Sequence, residues 1–342
     1  MQDQEQRFSF SGNSSDYFVI WIVNLILTIL TLGIYSAWAK VRRMQYFYRN
    51  TRLAESSFDY HGTPIAILKG RLIAFALFAA YSIFLQIMPL AGLTIALLIA
   101  LIMPYFIVTS LRFRLYNSSY RGLRFGFSGS IKSAYIAFLA WPVVALLTLY
   151  LLAPFTHQRI KAYQHNNSQF GRSSFSFDAG VSSFYKIYFF MLLQIVALFS
   201  LFGLGAYMMF KDNWSNMPKG AVFALVMAVY LLLIFVTLLI VPYFIARIQN
   251  LIWNHTTLAE HRFNSTMTAR GLAWVMFTNF FLIILTMGIF KPFADIRLLR
   301  YKLAHLTLLP SGSLDDFIAS ERQQIGATGT ETAEIFDVDI SL

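Results

Sequence analysis

The sequence contains no cysteine among its 342 residues. This absence excludes disulfide bonds, haem attached through thioethers, metal sites built from thiolates, and cysteine nucleophiles. Acidic residues are also scarce, with 16 Asp and Glu against 27 Lys and Arg, and seven of the acids lie in residues 310–342. No Asp or Glu lies well inside an apolar segment, which argues against an ion-coupled transporter, because such proteins usually place carboxylates at membrane depth.

Charge of either sign is rare in this chain. Only 13% of the residues are charged, whereas 57% are hydrophobic and the mean hydropathy is +0.59. A chain of this composition cannot hide its apolar surface in a single aqueous core. Several stretches of about 20 residues carry almost no charge, and this is the length that a helix needs to cross the hydrocarbon of a bilayer. The composition therefore predicts a polytopic α-helical membrane protein.

The apolar segments predict an all-α fold with about seven hydrophobic helices. Their approximate ranges are 17–38, 71–88, 91–109, 133–155, 184–210, 221–246 and 270–290. The polar connectors hold Phe-x-Phe patterns that predict short strands. Residues 1–309 are expected to form a single membrane domain of repeated units, and the acidic residues 310–342 a mobile tail.

Five residues of the first unit, which is an apolar segment with its basic flank, recur 255 positions later in the last unit. The identical pairs are Asn24 and Asn279, Thr31 and Thr286, Gly33 and Gly288, Arg42 and Arg297, and Tyr46 and Tyr301. Five identities at one offset within matched apolar segments predict an internal repeat, so equivalent units are expected to share a fold.

Two membrane topologies are compatible with this repeat. Segment length favours seven spanning helices, although that arrangement places equivalent units on opposite faces. If segments one, four and seven are instead re-entrant, every Lys and Arg except Lys211 and Lys219 lies on one face. That arrangement follows the positive-inside tendency and lets the Phe-x-Phe strands pair into one sheet. In both topologies the basic face and the C-terminus are expected to be cytoplasmic.

No catalytic or metal-binding pattern is present in the sequence. It has no GxSxG elbow and no HExxH or other paired-ligand spacing. The histidines all fall in polar connectors, at His61, His157, His165, His255, His261 and His305. The sequence therefore predicts a protein that is not an enzyme and that holds no cofactor or metal. Its basic charge comes with no nucleic-acid-binding motif.

The most distinctive chemical feature is a set of arginines beside the apolar segments, interleaved with aromatic residues. We call this set the basic-aromatic collar, and its arginines are Arg42, Arg43, Arg49, Arg52, Arg112, Arg114, Arg121, Arg124, Arg297 and Arg300. The collar could recognise anionic lipid head groups or an anionic solute. Alternatively, it only sets the topology and contacts the anionic inner leaflet. The acidic tail is complementary to the collar in charge and could dock on it.

Four amide side chains lie inside apolar segments, at Asn24, Asn279, Gln86 and Gln194. Amides in membrane helices commonly form interhelical hydrogen bonds. They could instead line a path for a small molecule. A transporter or channel is therefore the alternative to a protein that binds anionic lipid or solute at its collar.

The run TLGIYSAWAKVRRMQYFYRNTRL is preceded by FSFSG and followed by FDYHGTPIAILKGR. In these residues the chain strongly resembles the YjgN-like family of bacterial inner-membrane proteins, and the later RFGFSG extends the resemblance. The resemblance implies a multi-pass protein of the bacterial inner membrane. It carries no assigned activity, so it supplies no catalytic or binding residues for this chain.

Overall fold

The structure is a computed structural model that describes residues 5–211 and 218–333. It is 71% helical and has four candidate membrane spans, but it also contains an 11-stranded antiparallel sheet. The prediction of an all-α fold with seven hydrophobic helices is therefore wrong. It failed because three apolar segments contain a turn, and because the short strands of the polar connectors pair into one continuous sheet.

Helices and short strands alternate along the described residues. The helices are α1 Ser14–Leu30, α2 Ser36–Arg49, α3 Pro64–Ile87, α4 Pro89–Tyr116, α5 Ile131–Tyr135, α6 Trp141–Leu147, α7 Ala153–Asn166, α8 Val181–Phe210, α9 Lys219–Asn254, α10 Ala269–Leu285, α11 Lys291–Ala304 and α12 Leu314–Ala333, with a π-helical turn at Ile136–Ala140. The strands are β1 Gln6–Arg7, β2 Ser9–Phe10, β3 Thr51–Leu53, β4 Ser56–Tyr60, β5 Ser118–Tyr120, β6 Leu123–Phe127, β7 Ser168–Phe170, β8 Ser173–Phe177, β9 Thr256–Leu258, β10 His261–Ser265 and β11 Leu306–Leu309.

Four helices are long and apolar enough to cross a membrane, namely α3, α4, α8 and α9. They form two helical hairpins, in which α3 packs against α4 and α8 packs against α9. Pro104 and Pro242 are buried within α4 and α9, and both helices continue past them. Much of the basic sequence after each proline is therefore the end of a long helix and not a connector.

The first and last apolar segments each fold back on themselves. After α1, Leu32 and Gly33 have φ angles of +48° and +93°, and after α10, Met287 and Gly288 have φ angles of +50° and +94°. Glycine adopts a positive φ without the steric cost that other residues meet. Helix α2 then packs against α1, and α11 against α10, so each segment is a short helical hairpin.

These turns satisfy their own backbone groups. The N–H of Gly33 donates to a carbonyl of α1 at 2.8 Å, and the N–H of Tyr35 donates to Thr31 Oγ1 at 2.9 Å. Hydrocarbon offers no water to an unpaired backbone group, so such internal pairing is what a turn in a membrane requires. At the tips, Leu32 and Met287 are both 96% exposed, as apolar side chains in contact with lipid would be.

The fourth apolar segment is broken as well. It runs through α5, the π-helical turn and α6, and the chain then reverses at Leu149 and Tyr150, whose φ angles are +50° and +63°. Helix α7 returns against α6. The chain therefore has two long and three short helical hairpins within its described residues.

The strands form one antiparallel sheet in the order β1-β11-β10-β9-β8-β7-β6-β5-β4-β3-β2. Four of its hairpins join a three-residue strand to a five-residue strand. The two ends of the order meet at Phe8, because β1 pairs with β11, β2 pairs with β3, and only Phe8 separates β1 from β2 in the chain. The sheet is thus a nearly closed ring, which we call the β-ring.

Each helical hairpin leaves the β-ring and returns to it at neighbouring strands. The flanking pairs are β2 and β3, β4 and β5, β6 and β7, β8 and β9, and β10 and β11. Paired strands lie side by side, so the chain enters and leaves every hairpin at the same end of the β-ring. This is the geometry of the re-entrant alternative for segments one, four and seven.

The β-ring surrounds a core that is formed by residues of several strands and of α12. Its buried members are Leu53, Tyr120, Leu123, Phe170, Leu258, Phe263, Leu308 and Ile318. Ile318 belongs to α12, and Asp315 of the same helix pairs with Arg121 of the collar. The first part of the expected mobile tail is therefore a helix packed on the β-ring. The acids at Glu334, Asp337 and Asp339 lie outside the described residues, as does the side chain of Glu331.

Candidate anion-binding site

A cavity of about 840 Å³ lies between the first helical hairpin, α11 and the start of α3. Helix α1 packs against α2 and α11, and α2 packs against α3, which places these four helices around the space. We call this cavity the basic cleft. Its lining residues are Tyr17, Trp21, Asn24, Leu25, Thr28, Ser36, Ala39, Lys40, Arg43, Met44, Phe47, Tyr48, Thr51, Arg71, Lys291, Asp295, Leu298, Leu299 and Lys302.

The charges around the basic cleft are strongly unbalanced. Five cationic side chains, those of Lys40, Arg43, Arg71, Lys291 and Lys302, line it with the single carboxylate of Asp295. Like charges held together at a partly apolar site repel one another unless an anion neutralises them. The cleft therefore has the electrostatics of an anion site.

The one carboxylate is already engaged. Asp295 pairs with Lys291 one helical turn away, and Arg43 Nη2 lies 3.6 Å from the Asp295 carboxylate. Arg71 donates to the hydroxyl oxygen of Ser36, which holds its guanidinium across the first helical hairpin. Among the described residues, Lys40 and Arg71 have no carboxylate partner within ion-pair distance.

Two pKa shifts follow from this arrangement. Partial removal from solvent lowers the pKa of Lys40, and the nearby cations Arg71 and Arg114 lower it further. Burial raises the pKa of Tyr17 to about 12, against the opposing effect of Arg43. Tyr17 is therefore a neutral phenol in the wall of the cleft, and a bound anion would relieve the repulsion that acts on Lys40.

Part of the cleft wall is apolar. Trp21 and Leu25 of α1 face the same cavity as Leu298 and Leu299 of α11, and Met44 of α2 adds to them. A cavity that combines several cations with apolar side chains suits a molecule with an anionic group and a hydrocarbon part.

Asn24 lines this cleft and has a buried side-chain acceptor that is unpaired. The residue is only 7% exposed, and its Oδ1 atom is buried with no hydrogen-bond partner among the described residues. Leaving a buried polar group unpaired costs about 1–3 kcal/mol. Such a group in the wall of a cavity indicates a partner that the polypeptide does not supply.

The amide of Asn279, 255 residues later, is hydrogen-bonded through both its nitrogen and its oxygen. Asn279 Nδ2 donates to the carbonyl of Ala294 at 3.1 Å, and Asn279 Oδ1 accepts from Arg297 Nη1 at 2.9 Å. Arg42, which occupies the position 255 residues before Arg297, is exposed. The amide oxygen of Asn279 is thus paired by a protein group, whereas that of Asn24 is not. Of the two residues, only Asn24 lines the basic cleft.

The arginines of the collar lie on different elements, and only Arg43 lines the basic cleft. Several are held by protein groups elsewhere: Arg49 by Asp59, Arg112 by the Gly129 carbonyl, Arg121 by Asp315 and Ser56, Arg297 by Asn279 and Thr278, and Arg300 by the Gly12 carbonyl. Arg124 lies over the ring of Tyr116 at 4.6 Å. Arg42 and Arg52 are exposed, and Arg114 is close enough to Lys40 to affect its pKa.

The four amides inside apolar segments lie on four different helices. Asn24 belongs to α1 and Asn279 to α10, and both are buried. Gln86 is exposed near the end of α3, and Gln194 in α8 donates to the carbonyl of Phe190 one turn earlier. The structure thus places the two glutamines on separate long hairpins, away from the basic cleft.

Sequence reasoning missed most of the cations of the cleft. Lys40 and Arg71 lie at the edges of apolar segments, and their approach depends on the packing of α2 against α3. The sequence held one usable signal, since the 255-residue offset aligns Lys40 with Asp295 and Ser36 with Lys291. The two aligned stretches therefore differ in charge at positions that line the cleft. Within the described ranges, no cluster of three or more His, Asp or Glu side chains could hold a metal ion.

Comparison with known proteins gives one family and several relatives. The family described as "Bacterial protein of unknown function (DUF898)" matches residues 5–335. The chain is 26% identical to the inner membrane protein YjgN of Salmonella typhimurium in an alignment of 337 residues, with 85% of this chain and 85% of that protein covered. It is 33% identical over 135 residues to the protein of the same name from Escherichia coli K12, covering 39% of this chain and 33% of that relative. No solved structure matches the chain significantly.

Proposed function

Because the chain belongs to the DUF898 family of bacterial proteins of unknown function, we propose a function from its geometry: it is a non-enzymatic inner-membrane protein that binds an anionic lipid head group in the basic cleft. The observation that carries this proposal is the set of five cations around one carboxylate that is already paired. Lys and Arg are the side chains that bind phosphate, Arg through paired N–H groups and Lys as a point charge.

The depth of the cations favours a lipid over a soluble anion. At 1.5 Å per residue, Arg71 lies about 10 Å along α3 from its end at the β-ring, and Lys40 about 14 Å along α2. The cations therefore extend from the β-ring into the apolar part of the molecule. The cleft also has apolar walls at Trp21, Leu25 and Leu298, which the hydrocarbon part of a lipid can contact. A soluble anion would leave these apolar side chains uncovered.

The same charges support a cytoplasmic β-ring. Lys211 and Lys219 flank the connection between α8 and α9, at the end away from the β-ring, while the arginines of the collar lie towards the β-ring. Basic residues are enriched on the cytoplasmic side of bacterial membrane proteins. The basic cleft then opens towards the inner leaflet, which is the leaflet that this proposal needs.

Native mass spectrometry of the purified protein, after exchange into bilayers with anionic and zwitterionic lipids of identical chains, tests the proposal. Both lipids carry a phosphodiester, but the zwitterionic head group adds a positive charge that the cations of the cleft repel. Retention of the anionic lipid is therefore expected to exceed that of the zwitterionic one by at least about tenfold, which corresponds to about 1.4 kcal/mol. The double variant Lys40→Gln and Arg71→Gln is expected to lose this preference.

The matched control removes two exposed arginines of the collar outside the cleft, Arg42→Gln with Arg52→Gln, and therefore changes the net charge equally. It is expected to keep the preference. Equal losses in both double variants, or no preference in the wild-type protein, would refute the proposal. Displacement of the lipid by millimolar glycerol phosphate would instead assign the cleft to a soluble anion.

A further inference from the structure

The unpaired acceptor of Asn24 indicates which chemical group the ligand carries, whereas the cations of the cleft indicate only that it is an anion. On the premise of the proposed lipid function, we infer that the bound head group carries a hydroxyl beside its phosphate, and that Asn24 Oδ1 selects it. The ligand class is thus an anionic phospholipid with a hydroxylated head group, of which phosphatidylglycerol is the simplest example.

Asn24 lies at the depth where the head group would be held. It is 10 residues after Ser14, the first residue of α1, which places it about 15 Å along that helix from its end at the β-ring. Lys40 lies at about 14 Å along α2, and both residues line the same cavity. A phosphate held by Lys40 and Arg71 therefore has its head-group substituent within reach of Asn24.

The cleft does not satisfy this acceptor from within. Thr28, one turn further along α1, donates its hydroxyl to the main-chain carbonyl of Asn24 at 2.6 Å and not to Oδ1. Arg71 donates to Ser36, and Lys291 pairs with Asp295. The counterpart in α10 shows what a satisfied amide looks like, since Arg297 donates to Asn279 Oδ1 at 2.9 Å. In α1 the donor to Asn24 Oδ1 would instead come from the ligand.

The positive charge of the cleft determines which kind of head-group donor can bind to Asn24 Oδ1. An ammonium head group would also donate to Asn24 Oδ1, but it would place a sixth positive charge among five cations. A choline head group carries a positive charge and no N–H or O–H donor at all. A hydroxyl is a neutral donor, so it pairs with the amide oxygen without opposing the attraction between the phosphate and the lysine and arginine side chains.

Two lipids with the same charge and the same chains separate this inference from the proposed function. Phosphatidylglycerol and phosphatidylmethanol each carry one phosphodiester charge, but only the first has head-group hydroxyls. In competition between them, measured by native mass spectrometry of the full-length protein, the wild type is expected to prefer phosphatidylglycerol by about 5- to 50-fold, which corresponds to a hydrogen bond to a buried acceptor.

The variant Asn24→Leu is expected to bring this ratio close to one while its binding of phosphatidylmethanol, relative to a zwitterionic lipid, stays as in the wild type. Gln86→Leu removes an amide from an apolar segment outside the cleft and is expected to keep the wild-type ratio. Equal binding of the two lipids by the wild type would overturn the inference and leave the proposed function intact. A parallel loss of both lipids in Asn24→Leu would show a purely structural role for Asn24 and would also overturn it. Failure of the proposed function itself would appear as no preference for either anionic lipid.

Discussion

The main-chain N–H of Ser128 donates to the carbonyl of Asn167 at 2.9 Å. Ser128 directly follows β6 and Asn167 directly precedes β7, so this hydrogen bond joins the two ends of the third helical hairpin. Between them the chain passes through the whole fourth apolar segment. A helix that crossed the bilayer once would hold these residues on opposite faces, about 30 Å apart.

The first prediction concerns the side from which these positions are accessible. Ser128→Cys and Ser174→Cys are expected to react with a membrane-impermeant thiol reagent from the same side, because β6, β7 and β8 are neighbours in the β-ring. Met88→Cys, at the exposed turn between α3 and α4, is expected to react from the other side. The natural chain has no cysteine, so each label reports one position. Labelling of the two serine positions from opposite faces would contradict the β-ring.

The second prediction concerns the paired amide of α10. Arg297→Met removes the donor to Asn279 Oδ1 at 2.9 Å and the donor to Thr278 Oγ1 at 3.0 Å. The free energy of unfolding is expected to fall by about 1–3 kcal/mol, because a buried acceptor is left unpaired. Thermal unfolding in a fixed detergent measures the loss.

Arg42→Met is the matched control, since Arg42 stands 255 residues earlier and is exposed. Its expected effect is within about 0.5 kcal/mol of zero, as for most surface substitutions. If Arg297→Met and Arg42→Met destabilise the protein equally, the hydrogen bond from Arg297 to Asn279 does not contribute to its stability.

A comparison of α1 with α3 shows which features of the fold could be predicted from the sequence alone. Hydropathy identifies both as apolar, but the run from Ser14 continues through Leu32 and Ile34, so the turn between α1 and α2 looks like more helix. The only local signs of the turn are Thr31 and Gly33, and a Thr-x-Gly pattern is too common to break a predicted span. The positive φ angles at Leu32 and Gly33 become visible only in the structure.

The sheet and the cleft were harder to predict for a different reason. Phe125 and Phe127 alternate within a five-residue strand, which a pattern of period two can detect. Their neighbours β5 and β7 have three residues each, and β6 pairs with β7 through residues 41 to 45 positions apart, such as Phe125 with Phe170. Lys40 and Arg71 likewise meet only because α2 packs on α3. Long-range packing of this kind leaves no periodic trace in a single sequence.

The third prediction concerns pH. Burial lowers the pKa of His165 to about 4, and Lys161 lowers it in the same direction. The His165 ring lies against Phe177 and Trp253, with centroid distances of 5.5 and 6.0 Å. Between about pH 4 and 6.5 the unfolded chain therefore binds a proton that the folded chain does not, so stability is complete above pH 6.5 and decreases as the pH falls towards 4.

The melting temperature is accordingly expected to fall between pH 7 and pH 4.5, and His165→Gln is expected to reduce the slope. It should not abolish it, because burial also lowers the pKa of His157 to about 4. A slope that is unchanged in His165→Gln would show that this ring does not titrate with unfolding.

The last prediction concerns how α12 is held on the β-ring. Glu321 is 3% exposed, and its carboxylate accepts hydrogen bonds from the main-chain N–H groups of Arg172 and Ser173, at 2.6 and 3.3 Å, and from Ser173 Oγ at 2.7 Å. Arg172 lies in the turn between β7 and β8, and Ser173 is the first residue of β8. A Cβ atom on Gly171 in that turn would lie 2.3 Å from Glu321 Oε2, so the turn is shaped to receive the carboxylate.

Glu321→Ala leaves two backbone donors unpaired and should release α12 from this turn. The amide hydrogens of Arg172 and Ser173 are then expected to exchange about 10- to 100-fold faster, which corresponds to about 1–3 kcal/mol. Asp316→Ala removes an exposed carboxylate from the same helix and is expected to leave that exchange unchanged. Equal exchange in the wild type and in Glu321→Ala would mean that Glu321 does not protect these amides, and that other contacts of α12, such as those of Ile318 and Asp315, hold the helix.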